Sequence, residues 1–277
     1  MSEFFLTYNF FAGLGMGIIP WQTIAIVAAC AYFLGNVNPA ILLGRAMGVD
    51  VRAQGSGNAG ATNALRSLGK KAGIITFGID VAKGWAAYYM PLILFLQIGF
   101  RDERILRGML PSQSQAAQEA ALLWGLASYA PAMLCGLCVV LGHMYPAVFG
   151  FRGGKGVATA FGALLAASWL YALVLLAVVV IFTAIFRRVS LSVLIAVAVA
   201  IVLVFAGVGS LGDGFIFFTG PLWFNAYFPL WIVILLALVV WKHRANIGRL
   251  LKGEEPRLSF GSGKKEAPGD GGKGGAE

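Results

Sequence analysis

Apolar segments alternate with short polar stretches along most of the chain. Seven apolar segments can be distinguished, at 21–43, 72–97, 119–141, 157–168, 169–186, 190–208 and 227–241. A helix needs about 20 mostly apolar residues to cross a bilayer, and segment 157–168 alone falls well short. We expect the polar stretch before it to dip towards the bilayer. The pattern predicts an all-α integral membrane protein with seven transmembrane helices.

Composition supports the membrane class. The chain is 59% hydrophobic and only 12% charged, with a mean hydropathy of +0.80, whereas soluble domains carry about 25% charged residues. Residues 1–20 lack the basic start and cleavage site of a signal peptide, so we expect a short interfacial helix or loop there. The seven-helix membrane domain is predicted to cover 1–258, and the Gly/Lys-rich tail 259–277 to be a disordered cytoplasmic segment.

The distribution of lysine and arginine predicts the orientation. If the N-terminus is outside, the outer side receives only Arg101, Arg104 and Arg107. Nearly all other basic residues then lie on the cytoplasmic side, as the positive-inside rule requires. We therefore expect the N-terminus outside and the C-terminus in the cytoplasm. The same rule explains the net charge of +9 without a nucleic-acid partner.

Three polar segments interrupt the apolar pattern: the first at 52–73, the second at 142–159 and the third at 242–258. With seven spans, all three emerge on the cytoplasmic face. Segments on opposite faces would indicate a transport path, so this arrangement favours one site at the membrane surface. A transport or binding protein for an anionic lipid or phosphate ester stays the rival class.

The first polar segment, RAQGSGNAGATNALRSLGKKAG, contains no carboxylate. Glycines let backbone N–H groups converge on an anion, and an arginine fork suits phosphate. Apolar helical segments flank its GxGxxG, which excludes a dinucleotide-binding βαβ unit. We expect Lys70 and Lys71 to contact lipid headgroups. Ser56 and Arg66 are the functional candidates, with phosphate contacts from Gly55, Gly57, Asn58, Gly60, Thr62 and Asn63.

The second polar segment places Gly153, Gly154 and Gly156 around Lys155, directly before a predicted helix. A helix N-terminus favours negative charge, so these residues are candidate phosphate contacts. A Walker A loop is excluded, because Phe149 stands where its first glycine belongs and Gly156 where a hydroxyl residue would hold Mg²⁺. His143 is a candidate ligand or base, or equally a hydrogen-bonded histidine at a helix end.

In the third polar segment, His243 and Asn246 lie three residues apart and share a helix face. His243 is a candidate phosphate ligand or proton carrier, whereas Arg249 and Lys252 are expected at lipid headgroups. Neither histidine begins an HxxxxD acyltransferase motif. Cys135 and Cys138 have no second pair or nearby histidine, so we expect no metal or cofactor.

In order, GSGNAGATNALRSLGKKAG with DVAKG, GHMYPAVFGFRGGKGVAT and HRANIGRLLKGEE resemble the three signature motifs of the bacterial acyl-phosphate-dependent glycerol-3-phosphate acyltransferases, the PlsY family. The resemblance implies seven transmembrane helices and a cytoplasm-facing site in the bacterial inner membrane. It implies acyl transfer from acyl phosphate to the 1-hydroxyl of glycerol 3-phosphate, giving lysophosphatidic acid and phosphate, the first step of phospholipid synthesis. Coupling to the enzyme that makes acyl phosphate is also expected.

Carried over by position, the resemblance implies substrate-binding or catalytic roles for Ser56, Arg66, Lys155, His243 and Asn246. Ser190 is similar to a further phosphate contact. The stretch 35–39 departs from the family pattern, so that helix end is expected to differ in shape. We expect direct transfer without an acyl-enzyme, with either His243 or a substrate phosphate oxygen as base. A thioester donor is the alternative within acyltransferases.

Overall fold

The computed structural model describes residues 21–99, 115–205 and 224–258, and all regular structure within these ranges is helical. The helices are α1 Trp21–Asn36, α2 Pro39–Ala46, α3 Ala61–Ser67, α4 Lys70–Gly99, α5 Gln115–Met144, α6 Val157–Ala167, α7 Trp169–Phe186, α8 Val189–Phe205, α9 Phe224–Lys242 and α10 Arg244–Leu251, with a 3₁₀ turn at Ala147–Phe149. The predictions for residues 1–20 and 259–277 lie outside the described residues, as does most of the predicted outer loops.

The predicted apolar segments are helical wherever the structure describes them, but the first is broken. Asn38 caps α2 by accepting a 3.1 Å hydrogen bond from the backbone N–H of Ile41, and Pro39 is well suited to the first helical position. The first segment therefore forms two helices, α1 and α2. Ser168, in an extended conformation, separates α6 from α7 in the same way.

Three helical stretches are long and apolar enough to cross a membrane: Gln22–Ala46, Tyr129–Phe149 and Trp169–Phe186. A fourth is reached if Phe228–Lys242 and Arg244–Leu251, which meet at a 58° bend, count as one span. These findings support the prediction of a helical membrane protein. The number of seven spans and the orientation stay predictions.

Glycines let the central helices pack with their backbones in contact. A Cβ at Gly142 of α5 would overlap the carbonyl oxygen of Tyr32 in α1, and one at Gly84 of α4 would overlap that of Thr159 in α6. Trp231 of α9 donates its indole N–H to the carbonyl of Met133 in α5 at 2.7 Å. This packing fixes α1, α4, α5, α6 and α9 as a frame for the loops that carry the polar segments.

Candidate functional site

A cavity of about 170 Å³ receives residues from all three polar segments. The segments are far apart in sequence, yet the helical frame brings them into one set of walls. Of the sequence-predicted site residues, the cavity is lined by Ser56, Asn58, Gly60, Thr62, Asn63, Arg66, His143, Lys155, Gly156, Ser190, His243 and Asn246.

The loop of the first polar segment is held in shape by the buried side chain of Asn63. Its Nδ2 donates to the carbonyls of Val51 at 2.7 Å and Gln54 at 3.1 Å. Its Oδ1 accepts from the backbone N–H of Ser56 at 2.9 Å. Asn63 thus uses its hydrogen bonds within the loop, and its contribution to the cavity is to position Ser56.

Ser56 and Arg66 lie on the exposed side of this wall. The Ser56 hydroxyl is 3.3 Å from Asn63 Oδ1, and the Arg66 guanidinium donates a long, 3.4 Å hydrogen bond to the carbonyl of Pro256. Gly55 and Gly57 adopt positive φ angles of 58° and 68°, which favour glycine. Neither glycine is in the cavity lining, so they shape the turn.

The second polar segment presents a helix N-terminus and a lysine to the cavity. Gly156, at φ 76°, caps α6, and the first residues of α6 line the cavity. Lys155 is partly buried, and its Nζ has no hydrogen-bond or ion-pair partner among the described residues. Burial lowers the pKa of Lys155 to about 8; Glu255 opposes this shift, while Arg249 and Arg66 add to it. This wall therefore offers positive potential without a bound counter-charge.

His243 is buried between α9 and α10 and lines the cavity. Its Nδ1 lies 2.7 Å from the backbone carbonyl of Val239. A carbonyl oxygen can only accept, so we assign the imidazole proton to Nδ1. That tautomer leaves Nε2 with a free lone pair, the form needed to accept a proton.

The structure adds Glu255, which sequence reasoning missed. Its Oε1 accepts 2.6 Å hydrogen bonds from Ser190 Oγ and Asn246 Nδ2, and its Oε2 accepts from Arg249 Nε at 2.9 Å. Burial would raise the pKa of Glu255, but these three donors hold it below its usual range. The available signal was the acid pair Glu254-Glu255, since carboxylates are otherwise absent from the polar segments.

The network changes the picture for three predicted residues. Ser190 and Asn246, expected as substrate contacts, donate to Glu255. Arg249, expected at lipid headgroups, pairs with it. The expected headgroup residues Lys70, Lys71 and Lys252 are exposed and are not among the residues that line the cavity.

The floor of the cavity contains a buried ion pair. Asp80 and Lys83, one helical turn apart on α4 and expected to pair, are 2.7 Å apart. His143 Nδ1 lies 3.2 Å from the same Asp80 oxygen. Asp80 and His143 both line the cavity. Gly153 and Gly154 are not in the lining and instead pack directly against His143.

A second, apolar cavity of about 140 Å³ lies beside the polar one. It is lined by α4, α6, α7, α8 and α9, and Tyr171 and Ile232 are among its walls. The two cavities share five lining residues: Phe77, Val157, Ala158, Val179 and Val193. A polar compartment thus continues into a greasy one, which suits a molecule with a charged head and a long apolar chain.

Comparison with known proteins gives a consistent match. The profile of the glycerol-3-phosphate acyltransferase family matches residues 25–253. The glycerol-3-phosphate acyltransferase of Clostridioides difficile strain 630 is 37% identical over 234 residues, covering 84% of this chain and 94% of the relative. That of Paraburkholderia xenovorans LB400 is 38% identical over 234 residues, covering 84% and 90%.

Two solved structures share the fold. The crystal structure of PlsY, an integral membrane glycerol 3-phosphate acyltransferase, in its glycerol 3-phosphate form has a TM-score of 0.62 and 32% identity, covering 86% of this chain and 96% of that one. Its lysophosphatidic acid form gives a TM-score of 0.60 and 30% identity, with the same coverage.

Proposed function

The chain belongs to the glycerol-3-phosphate acyltransferase family, and on that premise we propose that it moves a fatty acyl group from acyl phosphate to the 1-hydroxyl of glycerol 3-phosphate. The products are lysophosphatidic acid and inorganic phosphate. The observation that supports this most directly is the junction of the polar and apolar cavities. A charged headgroup fits the first, and an acyl chain fits the second.

The phosphate groups of both substrates are placed in the polar cavity. Lys155 supplies a cation without a partner among the described residues, Arg66 a planar fork, and the start of α6 a set of backbone N–H groups. Each of these favours a dianionic phosphate. Ser56, held by Asn63, adds a hydroxyl on the opposite wall.

The reaction follows from this placement. The glycerol 1-hydroxyl oxygen attacks the acyl carbonyl carbon, the bond from that carbon to the phosphate oxygen breaks, and phosphate leaves with the electron pair. Holding both substrates in one cavity makes the step effectively unimolecular. Lys155 and Arg66 stabilise the charge that develops on the leaving phosphate. Transfer is direct, so no acyl group is carried by Ser56.

The hydroxyl proton needs an acceptor, and His243 is placed to be one. The Val239 carbonyl holds its proton on Nδ1, which leaves Nε2 basic and inside a lined cavity. A substrate phosphate oxygen is the other acceptor that the cavity would contain. His243→Asn separates the two, because general-base catalysis typically contributes about 10²–10⁴-fold and a loss of that size in kcat assigns the proton to His243.

We place the cavity on the cytoplasmic side of a bacterial inner membrane, within seven spans and with the N-terminus outside. The steep bias of lysine and arginine supports this orientation. It is tested with a single cysteine at position 56 in a cysteine-free background. A membrane-impermeant maleimide should label this cysteine only in inverted vesicles, and labelling in right-side-out vesicles would reverse the orientation.

The donor is tested with purified protein, glycerol 3-phosphate and either acyl phosphate or acyl-CoA, following lysophosphatidate and phosphate together. We expect both products in equal amounts from acyl phosphate and no turnover of acyl-CoA. Turnover with acyl-CoA alone would establish a thioester donor. Vesicle uptake of glycerol 3-phosphate without either product would establish the rival transport function.

A further inference from the structure

Three titratable side chains beneath the substrate cavity have no part in the reaction as proposed. Asp80 and Lys83 of α4 and His143 of α5 are 1%, 4% and 3% exposed. Ionised groups are costly to bury in a membrane protein, so those that persist are functional candidates by default. The group lies where α1, α4 and α5 meet.

Lys83 joins this group to the broken first helix. Its ammonium has three protons, and three oxygens surround it: Asp80 Oδ1 at 2.7 Å, the Val37 carbonyl at 2.7 Å and the Gly35 carbonyl at 3.1 Å. The two carbonyls lie at the break between α1 and α2, where a helix end leaves acceptors without partners. Lys83 therefore ties α4 to that break while it neutralises Asp80.

The imidazole of His143 is held from the same side by both ions. Its Nδ1 lies 3.2 Å from Asp80 Oδ1 and 2.9 Å from Lys83 Nζ. Because an anion and a cation meet one ring nitrogen, the ring cannot turn without losing both contacts. The ion pair thus fixes the orientation of His143.

The opposite side of His143 carries the loop that leads to Lys155. The His143 carbonyl accepts from the backbone N–H of Gly154 at 3.1 Å. A Cβ at Gly154 would overlap His143 Nε2, and one at Gly153 would overlap the His143 carbonyl. The loop is therefore moulded onto the histidine, and Lys155 is the next residue along the chain.

We propose that Asp80, Lys83 and His143 form a positioning unit that fixes the glycine loop and thereby sets Lys155 against the substrate phosphate. This inference rests on the phosphate-binding role proposed for Lys155. His143 acts through Lys155 and does not exchange protons with substrate. Its removal should therefore weaken use of glycerol 3-phosphate only as far as Lys155 is misplaced.

The test is a double-mutant cycle between His143→Leu and Lys155→Ala, read as kcat and KM for glycerol 3-phosphate. His143→Leu alone should lower kcat/KM by about 10–100-fold, the usual cost of losing a residue that orients a functional one. Lys155→Ala should lower it further, and the double variant should equal Lys155→Ala, because contacts that act through one another are not additive.

Two further variants separate positioning from loss of folding. His143→Asn keeps a nitrogen near the Nδ1 position and should recover most of the activity lost in His143→Leu. Thr76→Val removes a different buried polar group of α4, outside the cavity lining, and should leave kcat/KM within about twofold. Detergent-solubilised protein of each variant is first checked for monodispersity and thermal stability.

The outcomes are distinct. Fully additive losses in the double variant, or a His143→Asn variant no better than His143→Leu, would overturn the positioning role. If His143→Leu does not fold, the same cycle is run with His143→Asn and Lys155→Ala, and additivity there would overturn it equally. Near-normal turnover of Lys155→Ala alone would instead remove the proposed role of Lys155 itself.

Discussion

Two walls of the polar cavity carry positive groups, and they differ in whether those groups are already occupied. On the wall formed by the second polar segment, Lys155 has no partner among the described residues, and α6 presents its N-terminus. On the wall formed by Ser190 and the third polar segment, the donors Ser190, Asn246 and Arg249 all contact Glu255.

This difference indicates where a substrate phosphate binds first. On the Lys155 wall, a dianion gains a charge-assisted contact and gives up only water. On the Glu255 wall, it would have to displace a carboxylate from three donors, or lie beside a like charge. The sequence composition of both walls is similar, so the distinction comes from the contacts and not from the residue types.

Lys155→Ala should break the Lys155 wall with the largest effect. Loss of a single preorganised contact to developing charge typically costs about 10²–10³-fold, and we expect a loss of that size in kcat/KM for glycerol 3-phosphate. Steady-state assays with acyl phosphate held saturating measure it. Lys70→Ala is the matched control, since Lys70 is exposed and is expected to contact only lipid headgroups.

An equal loss in Lys70→Ala and Lys155→Ala would show that the cavity responds to the overall charge of the protein surface. In that case the Lys155 wall would have no special status, and the comparison of the two walls would fail. Activity of Lys155→Ala within about threefold of wild type would exclude a phosphate contact at this residue.

The sequence could predict the helices and the membership of the cavity because both depend on local pattern. Apolar segments near 20 residues predict helices, and acid-free glycine-rich segments predict anion contacts. The sequence could not predict the break at Asn38 as a lysine-capped end, because Lys83 comes from a helix 46 residues later. Nor could it predict that Glu255 occupies Ser190, a contact across 65 residues.

The pH dependence of KM should sharpen the comparison, with a smaller effect. Lys155 faces Glu255, Arg249, Arg66 and His243, and its pKa is lowered to about 8, mainly by burial. Because phosphate binding needs the ammonium form, KM for glycerol 3-phosphate should be flat below pH 8 and rise above it. The limit is about tenfold per pH unit, the rate at which the protonated fraction falls.

Initial rates between pH 6.5 and 9.5 measure this rise, after subtraction of enzyme-free acyl phosphate hydrolysis at each pH. Substrate phosphate is dianionic throughout most of this range, since its second pKa is about 6. Lys155→Arg is the control variant, because a guanidinium stays protonated here and its KM should change little with pH. A parallel rise in Lys155→Arg would assign the titration to another group.

Glu255→Gln should test the occupied wall, with the smallest effect of the three. Glu255 raises the pKa of Lys155, so its neutralisation should make KM begin to rise at a lower pH than in wild type. Partly exposed charge pairs contribute about 0.2–1 kcal/mol, which corresponds to about 1.4- to 5-fold in KM at pH 8. The neighbouring Glu254 is exposed, and Glu254→Gln should leave the profile unchanged. If both variants shift the profile equally, the effect belongs to the surface charge of this segment, and Glu255 has no particular link to Lys155.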